Sequence, residues 1–140
     1  MSRIWSAVSA GALGAVLLAG GSIAPAQAAT TRTAAVYYVG DTGTRAALYR
    51  EFRQVPVVGG PITSAVDAML HLPARDPDYT SLWPRSTRIR GISVRLGVAT
   101  IDLTAPALTG RAGGAFACAT LQQLVYTVTA AAPTVSRVLL

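Results

Sequence analysis

The chain has 140 residues, 51% of them hydrophobic and 13% charged, and its 12 basic side chains against 6 acidic ones give a net charge of +6. Every basic side chain is an arginine, and His71 and Cys118 are the single members of their types. One cysteine excludes an internal disulfide, one histidine and one cysteine exclude a zinc site unless carboxylates complete it, and the lack of any recognition motif argues against nucleic acid.

The chain opens on a targeting signal. Arg3 supplies a positive start, Ile4 to Ile23 is an apolar run rich in small residues, and "APAQAAT" places Ala26 and Ala28 at the small positions of an A-x-A cleavage site. Residues 1–28 are therefore predicted to be a secretory signal peptide, cleaved after about Ala28. The alternative is an uncleaved anchor, and a membrane partner is expected only in that case. Glycines stand in "LLAGGS" where a lipoprotein signal would carry a cysteine. Losing Arg3 with the signal lowers the net charge from +6 to +5, and residues 29–140 suffice for one domain with a modest core. The natural partners of that charge outside the cell are anionic wall polymers or lipid headgroups.

"TAAVYYV", Thr33–Val39, has the β-branched and aromatic content of a strand, and "GDTG" reads as a turn. "ALYREFRQVPVV" predicts a second strand that ends near Pro56, which cannot donate to a ladder. The period then changes: Ile62, Val66, Met69 and Leu70 mark one face of a helix, with Pro61 in its first turn and Pro73 beyond its end. Asp67 and His71 fall on the opposite, wet face. The loop from Pro73 to Pro84 is expected to bury Leu82 and Trp83.

"ISVRLGVATIDLT" predicts an amphipathic hairpin. Ile92, Val94 and Leu96 share one side, Ala99, Ile101 and Leu103 share a face after the turn, Gly97 permits positive φ, and Gly91 is a candidate bulge. From Ala115 a second helix is expected, with Ala117, Leu121, Leu124, Val125 and Val128 as the stripe that meets the sheet. Its β-branched residues make it dependent on packing. Thr134–Leu140 reads as a last strand. The order β-β-α-β-β-α-β implies an α+β fold with two helices packed on one face of a mostly antiparallel sheet and no second domain.

Three pieces in this order resemble the GerMN domain of bacterial sporulation and spore-germination proteins. "VYYVGDTG" is similar to the family's first strand and turn. "LWPRST" followed by "ISVRLGVATIDLT" is similar to its lead-in and strand–Gly–strand. "LQQLVYTVT", Leu121–Thr129, resembles its second helix, with Gln123, Tyr126 and Thr127 at its polar positions. The likeness covers about residues 34–140. In the hairpin turn, Leu96 stands before Gly97 where Asp or Asn is usual. The resemblance implies a non-enzymatic envelope module that binds or assembles with other proteins, linked to sporulation or germination.

The chemistry-bearing residues are few. Cys118 and His71 could be set up as nucleophile and base, but no glycine-rich elbow surrounds Cys118, and a buried structural thiol is the expectation. His71 reads as a solvated helix end. Asp102 should be exposed, or paired with Arg95 across the hairpin, and Asp76 and Asp78 astride Pro77 read as a turn. No catalytic residue, metal ligand or cofactor site is assigned, and the rival reading is a small wall-active hydrolase using Asp102 or Cys118. Another alternative is a remnant of a two-domain envelope protein. Arg85, Arg88, Arg90 and Arg95 form the candidate docking surface for an envelope protein or an anionic wall polymer, against the plainer view that they solubilise a half-buried sheet. Gln123 and Thr127 are expected to tie the second helix to neighbouring backbone. The arrangement would be contradicted by a pocket gathering Cys118, His71 and an acid, or by Leu121 and Val125 facing solvent.

Overall fold

The computed structural model describes residues 30–41, 45–109 and 115–140. The expected signal peptide and its cleavage point lie outside those residues.

Strands β1 (Thr31–Asp41) and β2 (Ala46–Pro56) form a long antiparallel pair, with Thr31 opposite Pro56 and Asp41 opposite Ala46. β1 puts Ala34, Val36 and Tyr38 on the inner face, two residues apart as strand geometry requires. Helix α1 (Pro61–His71) follows. Pro61 begins it, and Leu72 leaves the helix in extended backbone immediately before Pro73. The predicted stripe is confirmed: Ile62, Val66, Met69 and Leu70 are all buried, joined by Ala65 and Ala68.

The loop after α1 contains a short strand, β3 (Tyr79–Thr80), which pairs with β1 at Val39 and Gly40. Trp83 is buried as expected, while Leu82 is half-buried. Strands β4 (Ile89–Arg95) and β5 (Val98–Leu103) make the predicted hairpin, with the register shift at Gly91 and with Gly97 at φ 75°. A 3-10 turn, Ala105–Thr109, precedes α2 (Ala115–Ala131). The final strand, β6 (Arg137–Leu139), is shorter than expected and runs parallel to β5.

The fold is α+β with mostly antiparallel pairing, but the backbone ladders divide into two three-stranded sheets, ordered β2-β1-β3 and β4-β5-β6. Both helices pack on β1 and β2 and on each other, α1 also reaching β4 and α2 reaching β6. One core links both sheets and both helices: Val36, Tyr38 and Val55 from the first sheet, Ala99 and Ile101 from the second, and Met69, Leu124 and Val128 from the helices.

Two expectations about facing are corrected. Leu121 and Val125 are exposed, so the stripe on α2 is turned from the one predicted; Leu124 and Val128 stay buried, and Thr120, Gln123 and Thr127 join them. The outcome set against the arrangement therefore occurs and overturns the predicted stripe, while both helices still pack on β1 and β2, α2 through this other face. On the hairpin, Ile92 is half-buried but Val94 and Leu96 are exposed, and Leu96 belongs to the turn between the strands rather than to a strand face.

Candidate contact surface

The turned helix has a physical cause in the backbone of β1. Beyond β3, the amide and carbonyl of Tyr37 point away from β2 and need partners. The Gln123 side chain donates through Nε2 to the Tyr37 carbonyl at 2.9 Å and to Ser81 Oγ at 3.2 Å, and its Oε1 accepts from the Leu82 amide at 3.3 Å. Thr127 Oγ1 accepts from the Tyr37 amide at 3.2 Å. Gln123 and Thr127 are 0% exposed. They continue the ladder that β3 begins, which is the backbone tie expected of them. Thr120 and Thr129 instead return their hydroxyls to helix carbonyls four residues back, at Phe116 and Val125.

Because the polar stripe is buried, the opposite face carries the apolar residues outward. Leu121, Val125 and Tyr126 are exposed there, together with Cys118. The thiol expected to be buried is therefore on the surface. The Tyr126 ring meets the Tyr37 ring with centroids 5.4 Å apart. Across the sheet from Tyr37 stands Arg50, whose guanidinium lies 5.0 Å from the centre of the exposed Phe52 ring. The result is an apolar and aromatic strip running from α2 onto the outer face of β1 and β2.

The arginines expected to form one docking surface are dispersed. Arg85 donates to the His71 carbonyl at 3.4 Å, and Arg88 donates to the carbonyls of Arg85 at 2.7 Å and Thr87 at 3.0 Å. The two thus hold the C-terminal end of α1, where cations are favoured. His71 is half-buried there rather than a solvated end. Its Nδ1 lies 3.1 Å from Asp67 Oδ1, and Nε2 lies 2.7 Å from Arg88 Nη1 and 2.9 Å from the Thr87 carbonyl.

Asp102 is exposed as expected, but its partner is Arg90 at 3.6 Å and not Arg95, because the bulge at Gly91 brings Arg90 alongside it. Of the four, Arg95 alone makes neither a side-chain hydrogen bond nor an ion pair among the described residues. It lies in register with Val98, and Val98 with Arg137 of β6. The sequence reading missed Arg137, since a parallel strand arriving beside β5 leaves no local signal. It missed the outer strip of α2 because the small and apolar residues of that helix permit more than one stripe.

The charged interior is closed on itself. Arg53 Nη1 binds Glu51 Oε2 at 2.7 Å, the Pro73 carbonyl at 2.8 Å and the Tyr38 hydroxyl at 3.3 Å. Glu51 also accepts from the amides of Arg75 and Asp76. Burial by itself raises the Glu51 carboxyl, but those amides and the Arg53 guanidinium outweigh it and hold it below its ordinary 4.5. A carboxylate so held is a poor general acid. Burial, opposed in part by Arg53 and helped by Glu51, pushes the Tyr38 hydroxyl up to about 12. A groove beside the end of α1 is lined by His71, Asp76, Tyr79, Trp83 and Arg85, and Cys118 is not part of it. Among the described residues no three His, Cys, Asp or Glu side chains gather as a metal site, and no helix is long and apolar enough to cross a membrane.

The fold is shared with solved structures. The tandem GerMN domains of the sporulation protein GerM from Bacillus subtilis superpose with a TM-score of 0.66 at 16% identity, over 85% of this chain and 41% of that one. The chain thus spans less than half the length of that protein's solved chain. A candidate lipoprotein from Clostridium perfringens superposes with a TM-score of 0.50 at 18% identity, over 78% of this chain and 74% of the other. Among curated proteins none matches. The sequence profile of the Germane family, described as sporulation and spore germination, matches residues 35–140 and so takes in both sheets, both helices and the strip on α2: the chain belongs to the Germane family.

Proposed function

We propose that the chain is an exported, non-enzymatic module of the cell envelope that works by contact with another protein during sporulation or germination. The observation that carries this reading is the outward strip of Leu121, Val125 and Tyr126 with Tyr37 beside it. A helix that turns Gln123 and Thr127 inward and its leucine and valine outward leaves apolar area to be covered by something else. The family's description, which concerns a developmental process and names no reaction, supports the same reading. So does the internal saturation of Glu51, which makes that carboxylate a poor general acid.

The test is site-specific photo-crosslinking in sporulating or germinating cells that export the chain. A photoreactive residue at Leu121 or Val125 is expected to give one discrete protein adduct, and the same residue at exposed Asp78, in the loop before β3, is expected to give none. Adding Leu121→Lys to the Val125 probe should abolish the adduct while leaving the fold intact, because position 121 is already half in water. Equal yields at all three positions, or no adduct at the helix positions, would defeat the proposal.

A further inference from the structure

The tip of the β4–β5 hairpin carries a residue that the chain itself does not use. Arg95 and Val98 close the ladder, leaving a two-residue turn of Leu96 and Gly97 with φ of 47° and 75°. A turn with both residues at positive φ favours Asn-Gly or Asp-Gly. Leu96 is the only residue other than glycine with positive φ among the described residues. It is also completely exposed, at 102%. Its backbone is disfavoured and its side chain gains nothing from burial, so its value lies outside the folded chain.

The surroundings of the tip indicate what it meets. Val94, next to it on β4, is exposed. On the outer face of the second sheet, Arg95, Val98 and Arg137 stand in register across the three strands, and both arginines are exposed. Neither makes an ion pair among the described residues, in contrast to Arg53 and Arg90. A protruding apolar point flanked by unpaired cations complements a surface that is negative outside and apolar beneath. An anionic polymer would use the arginines but leave Leu96 and Val94 in water, whereas an anionic bilayer uses both.

We propose that this hairpin tip is a membrane-surface anchor, with Leu96 and Val94 entering the boundary between headgroups and acyl chains of an anionic bilayer while Arg95 and Arg137 bind its headgroups. It is separate from the strip on α2, and leaves that strip free for a protein.

An environment-sensitive dye at position 96 tests this locally, so that any affinity of residues 1–28 for lipid does not enter the readout. The full chain carries Leu96→Cys in a Cys118→Ser background, and the probes are vesicles of phosphatidylglycerol with phosphatidylcholine, vesicles of phosphatidylcholine alone, and soluble polyglycerol phosphate. Emission at position 96 is expected to rise and shift to the blue only with the anionic vesicles, and a dye on Gln54→Cys is expected to stay unchanged. Arg95→Gln and Arg137→Gln should each weaken the response about fivefold. For the unlabelled chain, Leu96→Asn should weaken sedimentation with anionic vesicles relative to wild type while its circular dichroism stays native. An unmoved dye at position 96 overturns the proposal, whether or not the chain sediments. So does an equal response to neutral vesicles, a response to the soluble polymer, or position 96 crosslinking to a protein instead.

Discussion

Replacing Gln123 by Met isolates the polar tie between α2 and β1. The substitution keeps the length of the side chain but removes its partners at the Tyr37 carbonyl, the Leu82 amide and Ser81 Oγ. Ser81 is half-buried and can recover water, whereas the other two groups face a side chain with no exposure. Each buried polar group left alone costs about 1–3 kcal/mol, so the pair should cost about 3 kcal/mol or somewhat more. That is a large share of the roughly 5–15 kcal/mol that holds a domain together. In urea, with a slope of about 1–3 kcal/mol per molar, the midpoint should fall by roughly 1–3 M. Thr127→Val strands only the Tyr37 amide and should cost about 1–2 kcal/mol. The two side chains serve the same residue of β1, so the double variant should depart from additivity by about 0.5 kcal/mol or more. Gln122→Met, on the exposed face of the same helix, is the control and should stay within about 0.5 kcal/mol of wild type. If Gln123→Met unfolds at the wild-type midpoint, the ladder-continuing role assigned to α2 is wrong.

Other perturbations follow from the same geometry. Glu51 is held below its ordinary 4.5, so its contribution is complete above that value and is lost as pH falls through the lower folded value. Glu51→Gln should therefore flatten the acid limb of a stability–pH curve and cost about 2 kcal/mol at neutral pH; an unchanged limb would contradict the Arg53–Glu51 assignment. Gly40 lies beneath the stacked Tyr49 and Tyr79 rings, whose centroids are 4.2 Å apart, and an added Cβ would come within 2.8 Å of Tyr49 and 3.0 Å of Tyr79. Gly40→Ala should cost about 1–3 kcal/mol and reduce the near-ultraviolet tyrosine signal, with wild-type values for both counting against the packing. Leu96→Asn relieves the positive φ and should raise stability by about 1 kcal/mol in urea melts; a decrease would show that the leucine serves the fold after all.

How much was legible beforehand differs between elements for identifiable reasons. The register shift at Gly91 and the turn at Gly97 come from local backbone rules, and both are where the pattern places them. The docking arginines were legible as a run but not as a surface. Which of them stays free depends on where α1 ends, how the bulge turns Arg90 toward Asp102, and that β6 brings Arg137 beside Val98. Cys118 was assigned by the habits of its residue type, and its exposure follows from the turn of α2.

The two helices mark the boundary between sequence and tertiary structure. In α1 the apolar stripe of Ile62, Val66, Met69 and Leu70 has polar neighbours opposite, so hydrophobic burial alone selects its inner face from the sequence. In α2, apart from Gln122 and Gln123, the residues from Ala115 to Ala131 are small, apolar or hydroxyl-bearing on every side, and hydrophobic burial alone does not select one. The open edge of β1 at Tyr37 made the choice, because an unpaired amide and carbonyl cost more than Leu121 and Val125 lose by staying in water. That edge exists only once β1, β2 and β3 have paired, which is why the outward face of α2 belongs to the tertiary structure and not to the sequence read in isolation.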